Sequence, residues 1–384
     1  MSDSVPDTQN LWQETPLLLS APISRLLGAN AFLKFENAHP SHAYKFRGMS
    51  LFVRRALQTH GKSVHFVIAS GGNAGLAVAC AANIAGAKCT VYLPEGASES
   101  TMRLLEGQNA EVIVVGKYYL EAVNAANEAA SSHKNVVRRS DFMGGAQLYG
   151  HRDIEAVKTV GGRGTRCDML QCWGRGMLAG IIVGCNKVDW DHVPLVALET
   201  IGSNCFHHSV LINSSGSSTF ATELPPYVDR VHDSESNLYL AHFKGFSSKA
   251  SGSLGASQPA TGAVKMALAR KGGIQCVSVP DELSMQSAVA FANDHKTLVE
   301  LACSTTLSAA YKAQLLDTVI PPRSDGQRRN VVFIVCGGFK VDLKDLAEFE
   351  KVVEEQLEKD PNGAWDVIYN DGKVVSVDYM ANSV

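Results

Sequence analysis

The stretch that decides the fold reads His65-Phe66-Val67-Ile68-Ala69-Ser70-Gly71-Gly72-Asn73-Ala74-Gly75. Its first five residues form an apolar run with the length and composition of a buried strand. A glycine-rich turn follows directly, and the small-residue segment from Asn73 to Ala85 has the composition of a helix. Because a buried strand that leads straight into a helix is typical of parallel sheets, this stretch predicts an α/β fold.

The same alternation of apolar runs and helix-like segments continues along the chain. Further strands are predicted at Cys89–Leu93, Ala110–Val115, Asp168–Cys172, Val193–Glu199, Gln275–Val279 and Val331–Cys336, with helices at Ser100–Gly107 and Tyr119–Ser131. The stretch Ser247–Gly262 is rich in Ser, Gly and Ala and is predicted to be irregular. The charged tail after Ala347 predicts a helix and then a hairpin at Trp365–Tyr379, with its turn at Asn370-Asp371-Gly372.

Length and composition narrow the class of protein. The chain has 384 residues, of which 45% are hydrophobic and 19% charged, which suggests about two domains with buried cores. The net charge of −3 and the scattered basic residues argue against a nucleic-acid partner. No apolar run approaches the roughly 18 residues of a membrane span. The first ten residues are polar and show no signal-peptide core, so we expect a cytoplasmic protein.

The nine cysteines are dispersed and form no CxxC pair, which argues against a zinc site. Most of them lie in apolar or small-residue runs. We therefore expect small buried hydrophobic residues in a reducing compartment.

The first candidate for chemistry is Lys45, in the segment Pro40-Ser41-His42-Ala43-Tyr44-Lys45-Phe46-Arg47-Gly48. A lysine can condense with an aldehyde cofactor, and the adjacent ring of Tyr44 can stack on a pyridine. The alternative is an ordinary surface lysine at the start of a helix.

Two glycine-rich turns are candidates for binding anions. The turn from Ser70 to Gly75 opens a helix, so its backbone N–H groups suit a carboxylate or a phosphate, but it can equally be a tight turn without a ligand. The segment Cys172–Gly180, with sequence CWGRGMLAG, also follows a strand and suits a phosphate. It lacks the GxGxxG pattern of dinucleotide sites, and its alternative role is close helix–strand packing. Weaker candidates are Cys336, before two glycines, and Glu199, at a strand end, which can cap a helix or bind a cation.

Taken in order, these segments resemble the serine/threonine dehydratase family of fold-type II enzymes, which use pyridoxal phosphate (PLP). The resemblance runs from Thr15-Pro16-Leu17 to about Leu346 and ends with a tail similar to that of fungal members. The motifs that carry it are T-P-L, the strand Phe32 to Glu36, P-S-x-x-(aromatic)-K-x-R-G, S-x-G-N-A-G, a glycine loop, E-T-x-G, V-E-x-A-C and V-C-G-G.

The resemblance implies a role for each matching residue. Lys45 and Ser70 are the catalytic candidates, and Lys45 would both hold PLP and move the α-proton of the substrate. The implied cofactor-binding residues are Lys45, Tyr44, Asn73, Gly174, Arg175, Gly176, Met177, Leu178 and Cys336. The substrate carboxylate would be bound by Ser70, Gly72, Asn73 and Ala74. A monovalent cation, K⁺ in relatives, would be bound by Glu199, Ser203, Leu254 and Ala256.

The implied architecture is two domains, each an open and mostly parallel sheet flanked by helices, with PLP in the cleft between them. The large domain would comprise residues 1–38 and 145–346, and the small domain 39–144 would be inserted in it. Residues 347–384 would form a C-terminal helix and hairpin extension. A homodimer that acts on a small amino acid, with no nucleic-acid or membrane partner, is the implied state.

The implied reaction is α,β-elimination of a small hydroxy amino acid, such as L-serine or L-threonine, to a keto acid and ammonia. A thiol at Cys336 does not fully protonate the pyridine nitrogen, which favours elimination. Racemase-type relatives usually have a serine at the position of Gly71, which cannot transfer a proton. The alternatives are β-replacement, a racemase-type activity, or a degenerate relative that is not catalytic.

The departures from the family pattern cluster at the proposed cofactor site. The family usually reads P-S-G-S-F-K where this chain has His42-Ala43-Tyr44 before the lysine, and Trp173 and Arg175 stand in the glycine loop. Phe339 replaces the serine after C-G-G. These changes leave open a reshaped pocket for an unusual substrate, an ordinary dehydratase that tolerates them, or a binding protein with weak affinity for PLP.

Overall fold

The computed structural model describes residues 10–131, 136–138, 167–172, 176–214 and 224–379, with 136–138 and 167–172 described as backbone only. The strands, in chain order, are β1 (Leu17–Leu19), β2 (Asn30–Phe35), β3 (His65–Ala69), β4 (Lys88–Leu93), β5 (Glu111–Val114), β6 (Val136–Arg138), β7 (Cys167–Cys172), β8 (Leu195–Thr200), β9 (Val228–Asp233), β10 (Leu238–Phe243), β11 (Ile274–Val279), β12 (Asn330–Val335), β13 (Ala364–Ile368) and β14 (Val374–Asp378).

Helices separate most of these strands. They are α1 (Ala21–Leu27), α2 (Lys45–His60), α3 (Asn73–Ile84), α4 (Glu99–Glu106), α5 (Tyr119–Ser131), α6 (Met177–Lys187), α7 (Cys205–Asn213), α8 (Ser251–Leu254), α9 (Thr261–Leu268), α10 (Asp281–His295), α11 (Leu301–Tyr311), α12 (Ala313–Val319) and α13 (Leu343–Lys359). None of the described helices is both long enough and apolar enough to cross a membrane.

The chain forms two compact units. In the small unit the structure describes residues 10–15, 36–131, 136–138 and 338–340, and in the large unit residues 16–35, 167–172, 176–214, 224–337 and 341–379. This agrees with the predicted two-domain α/β class.

The small unit is built on a parallel sheet with strand order β5-β4-β3-β6. The middle residues of β3 and β4 are buried, as expected for parallel strands covered on both faces. Helix α3 is rich in alanine and buried along Asn73–Ala82, so α2 can pack closely against it. This packing places the first residue of α2, Lys45, and the start of α3 in the same unit.

The large unit contains an eight-stranded sheet with order β1-β2-β12-β7-β8-β11-β13-β14. The five central strands, β2 to β11 in that order, are parallel. The edge strand β1 and the hairpin β13–β14 are antiparallel. Strands β8 and β12 are buried along their whole length, which matches their continuous apolar sequences. The carboxyl ends of β12, β7 and β8 are therefore neighbours on one edge of the sheet.

Most of the predicted elements are confirmed, including the C-terminal hairpin with its turn at Gly372, where φ is +75°. One prediction is wrong in part. The stretch Ser247–Gly262 contains the short helix α8, and α9 begins within it at Thr261. Small residues permit these turns because they pack closely, as Ala256 does against Cys205 in a buried cluster.

Candidate functional site

The turn after β3 opens α3 without a side-chain cap. The N-cap residue is Gly72, in extended conformation. Because glycine has no side chain, no side-chain hydrogen bond caps the helix. The first N–H groups of a helix have no partner inside it, so this turn presents donors at the positive end of the helix dipole. Ser70 lies beside these groups, with its Oγ 3.4 Å from the N–H of Gly72. Ser70 and Gly72 are partly exposed, so an oxygen anion can reach this turn.

A glycine at position 75 is required for this turn to form. A Cβ built on Gly75 would lie 1.9 Å from the carbonyl oxygen of Ser70, far inside van der Waals contact. The turn therefore doubles back against its own helix more tightly than any residue with a side chain allows. This explains the last glycine of the S-x-G-N-A-G motif.

The predicted lysine opens the neighbouring helix. Lys45 is the first residue of α2 and is half-buried, between the buried side chains of Ala43 and Phe46 in sequence. His42, in the loop before it, has φ of +54°, a left-handed conformation that favours glycine. This is the position where the family motif usually has glycine, a residue that adopts this conformation without strain.

A buried ion pair holds the lysine helix. Arg47, two residues after Lys45, donates from Nε to Oε2 of Glu36 at 2.6 Å and from a terminal nitrogen to Oε1 at 2.8 Å. Thr15 donates to the same carboxylate at 2.7 Å, and Nε2 of His39 lies 3.4 Å from it. Burial alone would raise the pKa of Glu36, but hydrogen bonds from His39 and Arg47, with the charge of Arg47, hold that pKa well below its usual range. The sequence analysis did not identify this cluster, although Thr15 and Arg47 lie inside motifs that it used.

Residues 338–340 connect the lysine loop to the turn after β3. The N–H of Gly338 donates to the carbonyl of His42 at 2.7 Å. The N–H of Phe339 donates to Oδ1 of Asn73 at 3.2 Å. Asn73 is buried, and because its amide accepts through Oδ1, its Nδ2 is oriented as a donor, which suits an oxygen anion. Gly338 has φ of +117°, a backbone conformation that residues with a side chain rarely adopt, so this position requires glycine.

The large unit presents a second uncapped helix start. Gly176 is the N-cap of α6 with no side-chain cap, and Met177 and Leu178 behind it are buried. This start follows β7, at the carboxyl edge of the sheet where ligands bind in such folds. Backbone donors at the positive end of a helix of this length suit a phosphate. Gly174 and Arg175, with Trp173, lie outside the described residues, so their predicted roles stay predictions.

Two thiols lie together at the end of β12. Cys336 is 7% exposed and Cys303 is 1% exposed. Cys303 Sγ accepts from the N–H of Gly337 at 3.3 Å. Burial raises the pKa of Cys303 well above its ordinary value, and a hydrogen bond with Cys336 adds to the rise. Cys303 therefore stays a neutral thiol at neutral pH.

The predicted cation site is only partly assembled by direct contacts. The carboxylate of Glu199, 1% exposed, accepts from the N–H groups of Phe206 at 3.3 Å and His207 at 2.8 Å. Burial raises the pKa of Glu199 to about 8 although these hydrogen bonds lower it. Ser203, in the following turn, is fully buried and its Oγ has no hydrogen-bond partner among the described residues. A buried hydroxyl oxygen without a partner among the described residues, four positions after a buried carboxylate, is a reason to expect an additional ligand here.

Leu254 and Ala256 belong to the same region of the large unit. The turn after Glu199 packs on residues 247–248, because the carbonyl of Gly202 accepts from Ser247 at 3.3 Å and Thr200 Oγ1 lies 2.7 Å from Ser248 Oγ. These two serines lead into α8, which ends at Leu254. Leu254 and Ala256 are themselves buried, and their predicted role as ligands stays a prediction.

Comparisons with known proteins agree on one family. The sequence profile of a family described as "Pyridoxal-phosphate dependent enzyme" matches residues 8–337. The Mus musculus protein "Serine dehydratase-like" is 32% identical over 337 residues, which cover 88% of this chain and 93% of that protein. The Homo sapiens "L-serine dehydratase/L-threonine deaminase" is 28% identical, with 90% and 95% covered.

Solved structures give the same result for the fold. A fungal L-serine ammonia-lyase from Rhizomucor miehei is 25% identical and superposes with a TM-score of 0.71, over 89% of this chain and 99% of that one. Maize serine racemase is similar in fold, with a TM-score of 0.66 at 16% identity over 90% and 94% of the two chains.

Proposed function

Because this chain belongs to the pyridoxal-phosphate dependent enzymes and, within them, to the serine/threonine dehydratases, we propose that it deaminates L-serine or L-threonine by α,β-elimination. The products are a keto acid and ammonia. The observation that carries the proposal is the uncapped, partly exposed turn Ser70–Asn73, which suits an amino-acid carboxylate and lies in the same unit as Lys45.

The residues present fit the cofactor. We assign its covalent attachment to Lys45, its phosphate to the backbone donors of Gly176, Met177 and Leu178, and its ring nitrogen to Cys336. The support is the chemistry of each group: an amine at the start of a helix, an uncapped helix N-terminus and a buried thiol. Tyr44, Asn73, Gly174 and Arg175 complete the proposed set.

Bound PLP supplies the electron-withdrawing ring that makes the α-proton of an amino acid removable. Lys45 is the proposed base that takes this proton at its Nζ, and it must be neutral to do so. Ser70, Gly72, Asn73 and Ala74 hold the carboxylate, which fixes the direction in which the α-proton points. A thiol at Cys336 would not place a full positive charge at the ring nitrogen, which favours loss of the β-hydroxyl.

The position of Gly71 favours elimination over racemisation. A hydrogen at this position cannot transfer protons on the opposite face of the substrate. A Cβ here would lie 3.0 Å from Cδ2 of Leu93, so a serine would also require Leu93 to move. Packing in the small unit therefore supports glycine at this position.

A potassium ion at Glu199, Ser203, Leu254 and Ala256, a homodimeric assembly and a cytoplasmic location are finer parts of the proposal. The orphaned Ser203 Oγ supports the cation. The seven cysteines whose side chains the structure describes are all buried thiols, which supports a reducing compartment.

The deciding experiment is to supply the purified, PLP-loaded protein with L-serine and measure the release of pyruvate and ammonia. We expect both products without any added nucleophile. Spectral evidence of bound PLP with no pyruvate from L-serine or 2-ketobutyrate from L-threonine would rule out this elimination. Product that forms only after a thiol is added would instead indicate β-replacement.

A further inference from the structure

Lys340 places an amine directly over the turn that we assign to the substrate carboxylate. A Cβ built on Gly72 would lie 3.8 Å from Nζ of Lys340, 3.9 Å from its Cε and 4.0 Å from Oγ of Ser70. The ammonium group of the lysine and the hydroxyl of the serine therefore approach the same point above Gly72. Because position 72 is glycine, that point is open.

The backbone around Lys340 is fixed by two hydrogen bonds within the small unit. Gly338 donates to the carbonyl of His42, and Phe339 donates to the buried side chain of Asn73. The next residue, Lys340, is exposed, and its side chain extends from this fixed backbone to the point above Gly72.

Two positive charges lie near the point above Gly72. The start of α3 contributes the partial positive charge of a helix N-terminus, and the lysine adds a full positive charge beside it. A carboxylate that sits at such a turn gains a charge-assisted hydrogen bond, which is about twice as strong as a neutral one. A substrate amide or ester at the same place gains no such ion pair.

We propose that Lys340 is a substrate-binding residue whose ammonium pairs with the amino-acid carboxylate held at the Ser70–Asn73 turn. This inference rests on the proposed function, because it assumes that the turn binds the substrate. In this proposal Lys340 contributes to binding of the carboxylate, and Lys45 remains the base that transfers the proton.

The test compares ligands that differ only in this charge. L-alanine has no β-leaving group, so it binds to the PLP-loaded enzyme without being eliminated, and L-alaninamide lacks the negative charge. Calorimetric titration of each ligand gives a dissociation constant for the unmodified enzyme and for Lys340→Met and Lys340→Arg. We expect Lys340→Met to raise the dissociation constant of L-alanine about tenfold and to leave that of L-alaninamide unchanged. Lys340→Arg should keep most of the affinity for L-alanine.

Lys62→Met is the matched control. Lys62 is exposed in the same unit and its loss changes the net charge equally, but it precedes β3 while the turn follows it. Five residues of strand separate the two ends, about 16 Å. We expect Lys62→Met to bind both ligands normally. Thermal unfolding should show that all three variants are folded.

The inference is overturned if Lys340→Met binds L-alanine as tightly as the unmodified enzyme does. It is also overturned if the substitution weakens the binding of both ligands equally. It is also overturned if the unmodified enzyme does not prefer L-alanine to L-alaninamide. These outcomes are separate from the elimination itself. An enzyme that shows the charge-dependent loss but releases no keto acid from L-serine or L-threonine would support Lys340 and refute the proposed reaction.

Discussion

The guanidinium of Arg47 holds the carboxylate of Glu36 through two nitrogens, at 2.6 Å and 2.8 Å, and Glu36 is only 2% exposed. This pair lies within the small unit and joins residue 36 to the first turn of α2, the helix that begins with Lys45. A buried pair of this kind is costly to break, because the remaining partner keeps its charge without compensation. The position of the lysine therefore depends on an ion pair that takes no part in the proposed chemistry.

The first prediction concerns this pair. Glu36→Gln should lower the free energy of unfolding by about 3 kcal/mol, as expected when one partner of a buried pair is removed. Chemical denaturation measures the change. The matched control is Glu355→Gln, because Glu355 forms an exposed pair with Lys351 at 3.9 Å and should contribute about 0.5 kcal/mol or less. Equal losses in the two variants would contradict the role of the Glu36–Arg47 pair.

The pair also predicts sensitivity to acid. The pKa of folded Glu36 lies well below its ordinary value of 4.5, so the stability it contributes is present above that value and is lost as the pH falls towards the folded pKa. Unfolding measured from pH 6 down to pH 3 should therefore show a shallower loss of stability in Glu36→Gln than in the unmodified protein. Parallel pH profiles would be inconsistent with the lowered pKa.

A second prediction concerns Lys45. Lys45→Ala should abolish covalent attachment of PLP, so that borohydride treatment no longer fixes the cofactor to the protein. Turnover should fall by about 10²–10⁴-fold, because a positioned base is lost. Lys62→Ala serves as the control and should behave like the unmodified enzyme. Cofactor fixed by borohydride in Lys45→Ala would require another lysine as the point of attachment.

The fold and the glycine-rich turn after β3 were predictable from the sequence for a physical reason. A parallel strand that is buried on both faces must be continuously apolar, as β3 and β12 are, and a glycine turn after it is visible in the sequence itself. The hairpin β9–β10 was not predicted, because β9 reads Val-Asp-Arg-Val-His-Asp and is mostly exposed. Its strand conformation depends on pairing with β10, which local sequence does not encode.

The site shows the same limit. Lys45, Ser70 and Asn73 could be proposed as site residues from the sequence because each belongs to a short local motif. Lys340 was not, because its proximity to Gly72 depends on a contact between residues 266 positions apart, in which the N–H of Phe339 donates to Oδ1 of Asn73. The burial of Glu36 was hidden for a similar reason, since a carboxylate at the end of a strand is ordinarily solvated.

A third prediction tests the shape of the turn after β3. Gly75→Ala should destabilise the protein by about 1–3 kcal/mol and weaken binding of L-alanine, because its Cβ would collide with the carbonyl of Ser70 at 1.9 Å. The control is Gly262→Ala in α9, where an added Cβ meets nothing within 4 Å. That change should be neutral or stabilising by up to about 1 kcal/mol. A Gly75→Ala protein with normal stability would show that the turn can open without loss.

A fourth prediction separates the two neighbouring thiols. Cys336→Ala should retain PLP but reduce turnover of L-serine about tenfold, since the proposed partner of the ring nitrogen is removed. Cys303→Ala should mainly cost stability, because Cys303 is 1% exposed and its sulfur accepts from Gly337. Absorbance spectra, steady-state kinetics and thermal unfolding distinguish the two effects. Full activity in Cys336→Ala would reduce that thiol to a packing role.

A fifth prediction concerns Glu199 and potassium. The pKa of Glu199 is raised to about 8, above its ordinary value of 4.5, because burial disfavours its charge. The stability that the neutral carboxyl contributes is therefore complete below pH 4.5 and is lost as the pH rises through about 8. A cation that binds the ionised carboxylate would offset this loss, so the stabilisation by K⁺ should grow between pH 7 and pH 9.

Thermal unfolding in KCl and in choline chloride of equal ionic strength measures that difference. At a K⁺ concentration one hundred times its dissociation constant, binding should add about 2.7 kcal/mol to the free energy of unfolding. In Glu199→Gln both the loss of stability at alkaline pH and the effect of K⁺ should disappear, because the side chain can no longer ionise. If the two salts give the same unfolding temperature at every pH, Glu199 serves only to bind the N–H groups of Phe206 and His207, and the orphaned hydroxyl of Ser203 must be satisfied in another way.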